Sequence, residues 1–151
     1  MEAIIFIGLP GPGRSSFYKE RFFNSHVRIS LDLLKTRHRK NRLLEICLET
    51  YQRFVIDNTN PTKAERSRFM EAVKLARVRY TMIGYYFESK AEDCLARNAQ
   101  RSEAERVPDV AIFSATKRLE LPSLDEGFDQ LFYVRLSEGG FIIEEWADEI
   151  R

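Results

Sequence analysis

Residues 4–16 read Ile4-Ile5-Phe6-Ile7-Gly8-Leu9-Pro10-Gly11-Pro12-Gly13-Arg14-Ser15-Ser16. Four apolar residues in a row spell a short strand covered on both faces. The run stops at a glycine; two more glycines, a cation and two hydroxyls follow. Gly8, Gly13 and Ser15 meet the pattern G-x-x-x-x-G-K-[ST], with Arg14 where the pattern has lysine. Such a turn lets the backbone approach an anion and opens a helix whose first N–H groups point at it. Gly8, Gly11, Gly13, Arg14, Ser15 and Ser16 are therefore the expected phosphate cradle, and Ser15 the expected Mg²⁺ ligand. Arg14 offers a planar fork in place of a compact ammonium. Pro12 removes one donor N–H. A glycine-rich turn without a ligand is the bland alternative.

Outward from this loop, strands and helices alternate. His26–Ser30 reads as a short second strand, and a basic stretch, residues 35–42, leads into a helix carrying Leu43, Leu44, Cys47 and Leu48. Phe54–Asp57 reads as a strand ending in an acid. Asn60 reads as an N-cap with Pro61 at the first helical position, and that helix runs to about Ala76. Tyr80–Phe87 is a further strand, and Ser89–Glu92 a capping box for a helix with Arg97 and Arg101. Pro108 opens another helix to about Leu119. Leu131–Val134 is the last clear strand, and Phe141–Ile150 fits either strand or helix. Apolar strands without alternation, spaced by helices, predict a parallel α/β sheet with ligands at the strands' carboxyl ends.

Composition sets the bounds. The 151 residues suit one domain, with 44% hydrophobic and 31% charged residues, as in a soluble globular chain. The apolar opening, flanked by Glu2, is too short for a signal peptide or a membrane span, so the expected setting is cytoplasmic, without a membrane partner. The two cysteines, Cys47 and Cys94, are expected to be reduced and buried. Net charge is +1, but residues 14–42 carry nine Lys/Arg against two acids, and residues 119–151 carry nine acids against two arginines. The basic part suits a phosphate-rich ligand, or is one of two solvated faces.

The strand-end rule then selects a constellation. Asp32, Asp57 and Asn60 lie just past apolar strands, on the rim that holds the loop. Asp32 can take the proton of an attacking hydroxyl, or cap a helix; Asp57 can contact Mg²⁺ through water, or close a turn. Arg97 and Arg101, one helical turn apart, can clamp a transferring phosphate or share a wet face. His26 and His38 have no metal-site spacing and are assigned no chemistry.

At these residues the chain resembles the P-loop kinase domain of polynucleotide 5′-hydroxyl kinases over nearly all of residues 1–135. The loop reads Gly8-Leu9-Pro10-Gly11-Pro12-Gly13-Arg14-Ser15 against the family's G-x-P-G-x-G-K-[ST]. The family's catalytic aspartate falls on Asp32. Lys35 stands where the family has an arginine that binds the acceptor's phosphate. The D-x-N element falls on Asp57–Asn60, the R-N-x-x-R lid helix on Arg97–Arg101, and the V-P after the lid on Val107–Pro108. The resemblance implies a three-layer α/β/α P-loop NTPase domain over residues 1–151, with a parallel five-stranded sheet in the order 2-3-1-4-5. It also implies a helical lid at about residues 97–118. It further implies ATP (or GTP) and Mg²⁺ as cofactors and transfer of the γ-phosphate to a hydroxyl as the reaction. Asp32, Arg14, Arg97 and Arg101 are the catalytic candidates; Lys35, Arg39 and Asn60 the acceptor-binding ones; Ser15 and Asp57 the metal ligands. The partners are nucleotide and either single-stranded nucleic acid with a 5′-hydroxyl or a small phosphorylated acceptor. A small-molecule kinase and a nucleotide-binding module with weak turnover are the alternatives, the second favoured by Arg14 and Pro12.

Overall fold

The computed structural model describes residues 1–11 and 13–147. Pro12, and the end of the Phe141–Ile150 segment together with Arg151, lie outside the described residues. In chain order the elements are β1 (Glu2–Ile7), α1 (Arg14–Arg21), β2 (Val27–Ile29), α2 (Leu31–Leu34), α3 (Arg37–Glu49), β3 (Phe54–Ile56) and α4 (Lys63–Lys74). Then come β4 (Thr81–Phe87), α5 (Ala91–Gln100), α6 (Asp109–Arg118), a 3₁₀ turn at Leu124–Glu126, β5 (Gln130–Ser137) and β6 (Gly140–Glu145).

The sheet order is β2-β3-β1-β4-β5-β6. Its first five strands are parallel and follow the expected order. The expected strand count of five is corrected to six, because β6 folds back antiparallel on β5 through Gly139 at φ +81. Short local runs signalled the other strands. β6 draws its stability from the pairing itself and from Phe141, which meets Phe17 edge-on at 5.0 Å.

Strand alternation divides the core. Ala3, Ile5 and Ile7 face Leu44, Cys47, Phe69, Met70 and Val73 of α3 and α4. Ile4, Phe6 and Val55 face Phe17, Tyr18 and Phe22 on and just after α1. The Phe6, Phe17 and Phe87 rings lie 5.0–5.8 Å apart and tilted, which fixes α1, and so the loop before it, on the sheet. A third cluster, Leu9, Cys94 and Ile112, seats α5 and α6 over the loop. Cys47 and Cys94 are free and buried, and burial pushes the Cys47 thiol up to about 11.

Two cap assignments are corrected. Asn60 has φ +45 and lies before the helix; Thr62 is the N-cap of α4, accepting from the Glu65 N–H at 3.1 Å. Ser89 is no capping residue either. Its hydroxyl donates to the Phe87 carbonyl and accepts from the Leu9 N–H at 3.0 Å, tying the loop to β4, and Lys90 occupies the N-cap position of α5. In both cases a distant contact outbid the local motif. Among the described residues no helix is long and apolar enough to cross a membrane.

Candidate functional site

The loop is assembled from three sides. The Gly8 N–H donates to the Thr59 carbonyl at 3.0 Å, beyond β3. At Gly11, φ +93, a Cβ would lie 2.9 Å from the Cys94 carbonyl oxygen of α5, so only glycine allows this approach. Gly13, φ +89, is the N-cap of α1 in the left-handed region and leaves the helix without a side-chain cap. The first N–H groups of α1 are thus available to an anion.

Arg14 begins α1 and is buried. One terminal nitrogen donates to the Gly8 carbonyl at 3.3 Å, and its Nε lies 3.7 Å from Asp57 Oδ1. Burial pulls this guanidinium below its ordinary pKa, the charges of Asp57 and Asp32 raise it again, and Arg101 and Arg28 oppose it. Asp57, just past β3, is 3% exposed and takes a second guanidinium: Arg28 Nε donates to its Oδ2 at 2.7 Å. The same Arg28 donates to Ser15 Oγ at 3.2 Å.

Ser15 and Asp57 are therefore brought together, but by an arginine. That arrangement does not fit Mg²⁺. The Asp57 carboxylate already meets two cations, and the hydroxyl and carboxylate oxygens face a guanidinium where a divalent ion needs open oxygen ligands. Among the described residues no group of three His, Cys, Asp or Glu could hold a metal ion.

Beside the loop lies a cavity of about 670 Å³ walled by residues of α2, α3, α4 and α6. Arg14, Asp32 and Asn60 all line it, though they come from three separate segments. Asn60 is buried, and its amide donates to the Phe6 carbonyl at 2.7 Å, which anchors the end of β1. Asn58 holds the Leu31 N–H through its Oδ1, while its own Nδ2 is buried at the cavity wall without a partner among the described residues. Lys35 and Arg39 do not line the cavity; Lys35 ends α2 at φ +74, and Arg39 donates to the Leu34 carbonyl at 3.2 Å. In their place Arg37 and Lys40 of α3, Arg68 of α4 and Arg118 of α6 supply the cations. Lys40 lies 4.7 Å over the Phe69 ring, and burial lowers its pKa, with Arg37 adding to the effect. Arg97 and Arg101 do not line the cavity, and Arg101 donates to the Glu105 carbonyl at 3.4 Å.

Two signals for the missed residues lay in the sequence. Residues 37, 40, 41, 44 and 45 share one helical face with the buried Leu44, which separates Arg37 and Lys40 from Arg39. In Val27-Arg28-Ile29 the alternation turns Arg28 to the α1 side of the sheet, where a charge needs a partner. Arg66 had no such signal. It is fully buried, and it ties Glu126 at 2.8 Å, the Asn60 carbonyl at 2.8 Å and the Glu120 carbonyl at 3.1 Å.

Comparison with known proteins places this geometry. The profile described as "AAA domain" matches residues 34–122, more than half of the chain, beginning just after Asp32. A bifunctional polynucleotide phosphatase/kinase of Schizosaccharomyces pombe is 25% identical over 131 residues, 84% of this chain and 32% of that protein. A polynucleotide phosphatase/kinase relative from Acanthamoeba polyphaga mimivirus is 29% identical over 136 residues, 86% of this chain and 32% of that protein. The chain thus spans about one third of the length of the curated relatives it matches. Among solved structures, Kti12 of Chaetomium thermophilum, in complex with ADP-AlF3, superposes with a TM-score of 0.65 at 17% identity, covering 89% of each chain. A gluconokinase from Sinorhizobium meliloti 1021 gives 0.60 at 15% identity, covering 90% of this chain and 83% of that one. The fold is that of the P-loop NTPases.

Proposed function

We propose, on the premise that this chain belongs to the AAA domain family, that it transfers the γ-phosphoryl group of a nucleoside triphosphate to a hydroxyl of a phosphate-bearing acceptor. The two relatives are named for a polynucleotide, and the leading acceptor is accordingly a nucleic acid, phosphorylated at its 5′-hydroxyl. One observation carries the reading: Arg14 and Asp32 line the same cavity, and Arg37, Lys40 and Arg68 outnumber Glu45 on its rim, where Arg118 is paired with Glu65.

The triphosphate lies over residues 8–16, against the α1 N-terminus and the Arg14 guanidinium. The acceptor's phosphate meets the basic rim. Its hydroxyl oxygen attacks the γ-phosphorus while Asp32 takes the proton; the bond from the γ-phosphorus to the β–γ bridging oxygen breaks, and the diphosphate leaves with the electron pair. The buried Asn58 Nδ2 donates to an acceptor or phosphate oxygen. Residues 97–118 act as the lid, with Arg97 and Arg101 reaching the transferring group when it closes. Residues 1–151 work as one such domain. A cytoplasmic setting, where buried thiols stay reduced, agrees with this.

The inward contacts of Arg14 favour a second reading, a nucleotide-binding module with slow turnover, because a cation held on Gly8 and Asp57 follows developing charge poorly. The likeness to a gluconokinase keeps a small-molecule acceptor among the arms of the test. Labelled ATP is incubated with 5′-hydroxyl oligonucleotides, nucleosides and gluconate. The expected result is label on the oligonucleotide, abolished by Asp32→Asn with nucleotide affinity unchanged. Label on no acceptor moves the weight to the binding module.

A further inference from the structure

We infer that the guanidinium of Arg28 is the resident cation of this site, bridging Ser15 and Asp57 where a divalent ion would otherwise sit, so that nucleoside triphosphate binds without metal. This rests on the nucleotide-binding part of the proposed function.

Three observations carry it. First, Arg28 is placed by the sheet: it pairs in register with Val55 on the side that faces α1, so its side chain runs between the ends of β3 and α1. Second, its fork is committed to the two groups expected to hold the ion, Nε to Asp57 Oδ2 at 2.7 Å and one terminal nitrogen to Ser15 Oγ at 3.2 Å. A planar fork holds two oxygens at once, which an ammonium does not. The other terminal nitrogen makes no hydrogen bond among the described residues and the side chain is 27% exposed, so a donor edge remains for a phosphate oxygen. Third, the charge is already in place. Arg14 and Arg28 flank one buried carboxylate, leaving a net positive centre beside the α1 N-terminus. A dication added there would make like charges crowd a single Asp57, whose carboxylate is 2% exposed.

The test is calorimetric titration of ATP into the full chain, once in excess EDTA and once in excess Mg²⁺, with Mn²⁺ alone titrated in parallel and followed by its paramagnetic resonance signal. The expected result is ATP affinity that differs by less than about threefold between the two buffers, and no tight Mn²⁺ site on the free protein. Arg28→Ala is expected to lose on the order of tenfold or more of its affinity in EDTA, as for a lost bidentate charge-assisted contact, and to recover most of it in Mg²⁺, which then enters the vacated gap. Arg28→Lys, which keeps charge but not the fork, is expected to behave like Arg28→Ala and serves if the alanine variant fails to fold. ATP binding by the unaltered chain that vanishes in EDTA and returns with Mg²⁺ overturns the inference while leaving the proposed function intact, and needs no variant. Absence of ATP binding in both buffers, by a chain folded by circular dichroism, overturns the nucleotide-binding reading and the inference with it.

Discussion

Replacing Asp57 with Asn is expected to cost this protein stability before it costs anything else. The carboxylate is 2% exposed and lies 2.7 Å from Arg28 Nε and 3.7 Å from Arg14 Nε, the Arg14 side chain being 9% exposed. Asn keeps one acceptor, enough for Arg28, and turns an NH₂ toward Arg14. A buried cation then faces a donor, and two guanidinium groups face each other without the charge between them. Removing one member of a buried ion pair costs about 3–5 kcal/mol. For a chain of this size that lowers Tm by about 6–20 °C. Urea and thermal unfolding in phosphate-free buffer, with an unchanged urea m-value, measure it. An anion that takes the place of the lost charge should restore part: sulfate or ATP in EDTA at about a hundred times its Kd contributes about 2.7 kcal/mol. A loss below about 1 kcal/mol would refute the reasoning, since it would mean Arg14 is solvated in solution rather than held on Asp57. A full loss that no anion offsets would refute the idea that this cluster is a phosphate site.

Other tests probe the frame and the rim. Arg66→Met should cost about 3–5 kcal/mol in urea unfolding, because it strands the Glu126 carboxylate and the Asn60 and Glu120 carbonyls, and Arg66→Met with Glu126→Met should recover much of it; a single-variant loss near zero would mean the segment is not held there. Reversing Arg37 and Lys40 to Glu should flatten the salt dependence of oligonucleotide binding by a slope of about 1.4 or more on a log–log plot, while reversing Lys35 and Arg39 should change it far less; equal effects would contradict the cavity assignment. Burial lowers the His26 pKa, against the opposing pull of Glu2 at 2.9 Å, so the folded value lies below the unfolded one. The unfolded chain then gains more protons as the pH falls below about 6.5, and stability present above that pH declines on acidification. His26→Gln should remove this part of the slope in pH-dependent unfolding, and an unchanged slope would assign it to carboxylates instead.

The sequence by itself carried the strand–loop–helix start, the five parallel strands and the rim on which Asp32 and Asp57 lie, while their order came from the resemblance to polynucleotide kinases. These depend on short-range facts: apolar runs, glycines that allow left-handed backbone, and the rule that ligands sit at strand carboxyl ends. Contacts between distant segments were settled only by the fold. β6 is apolar enough for strand or helix, and only its pairing with β5 decided between them. Asn60 carries a helix-cap signature, yet the Phe6 carbonyl claims its amide and leaves the cap to Thr62. Helical spacing puts Lys40 on the face of Leu44 and Arg39 off it, but only the packing of α3 against α4 makes that face a cavity wall. Arg28 shows the same reason most clearly. A charged residue in a three-residue strand announces that it needs a partner, but the partners, Ser15 and Asp57, lie on other elements, and only tertiary packing sets all three within hydrogen-bonding distance.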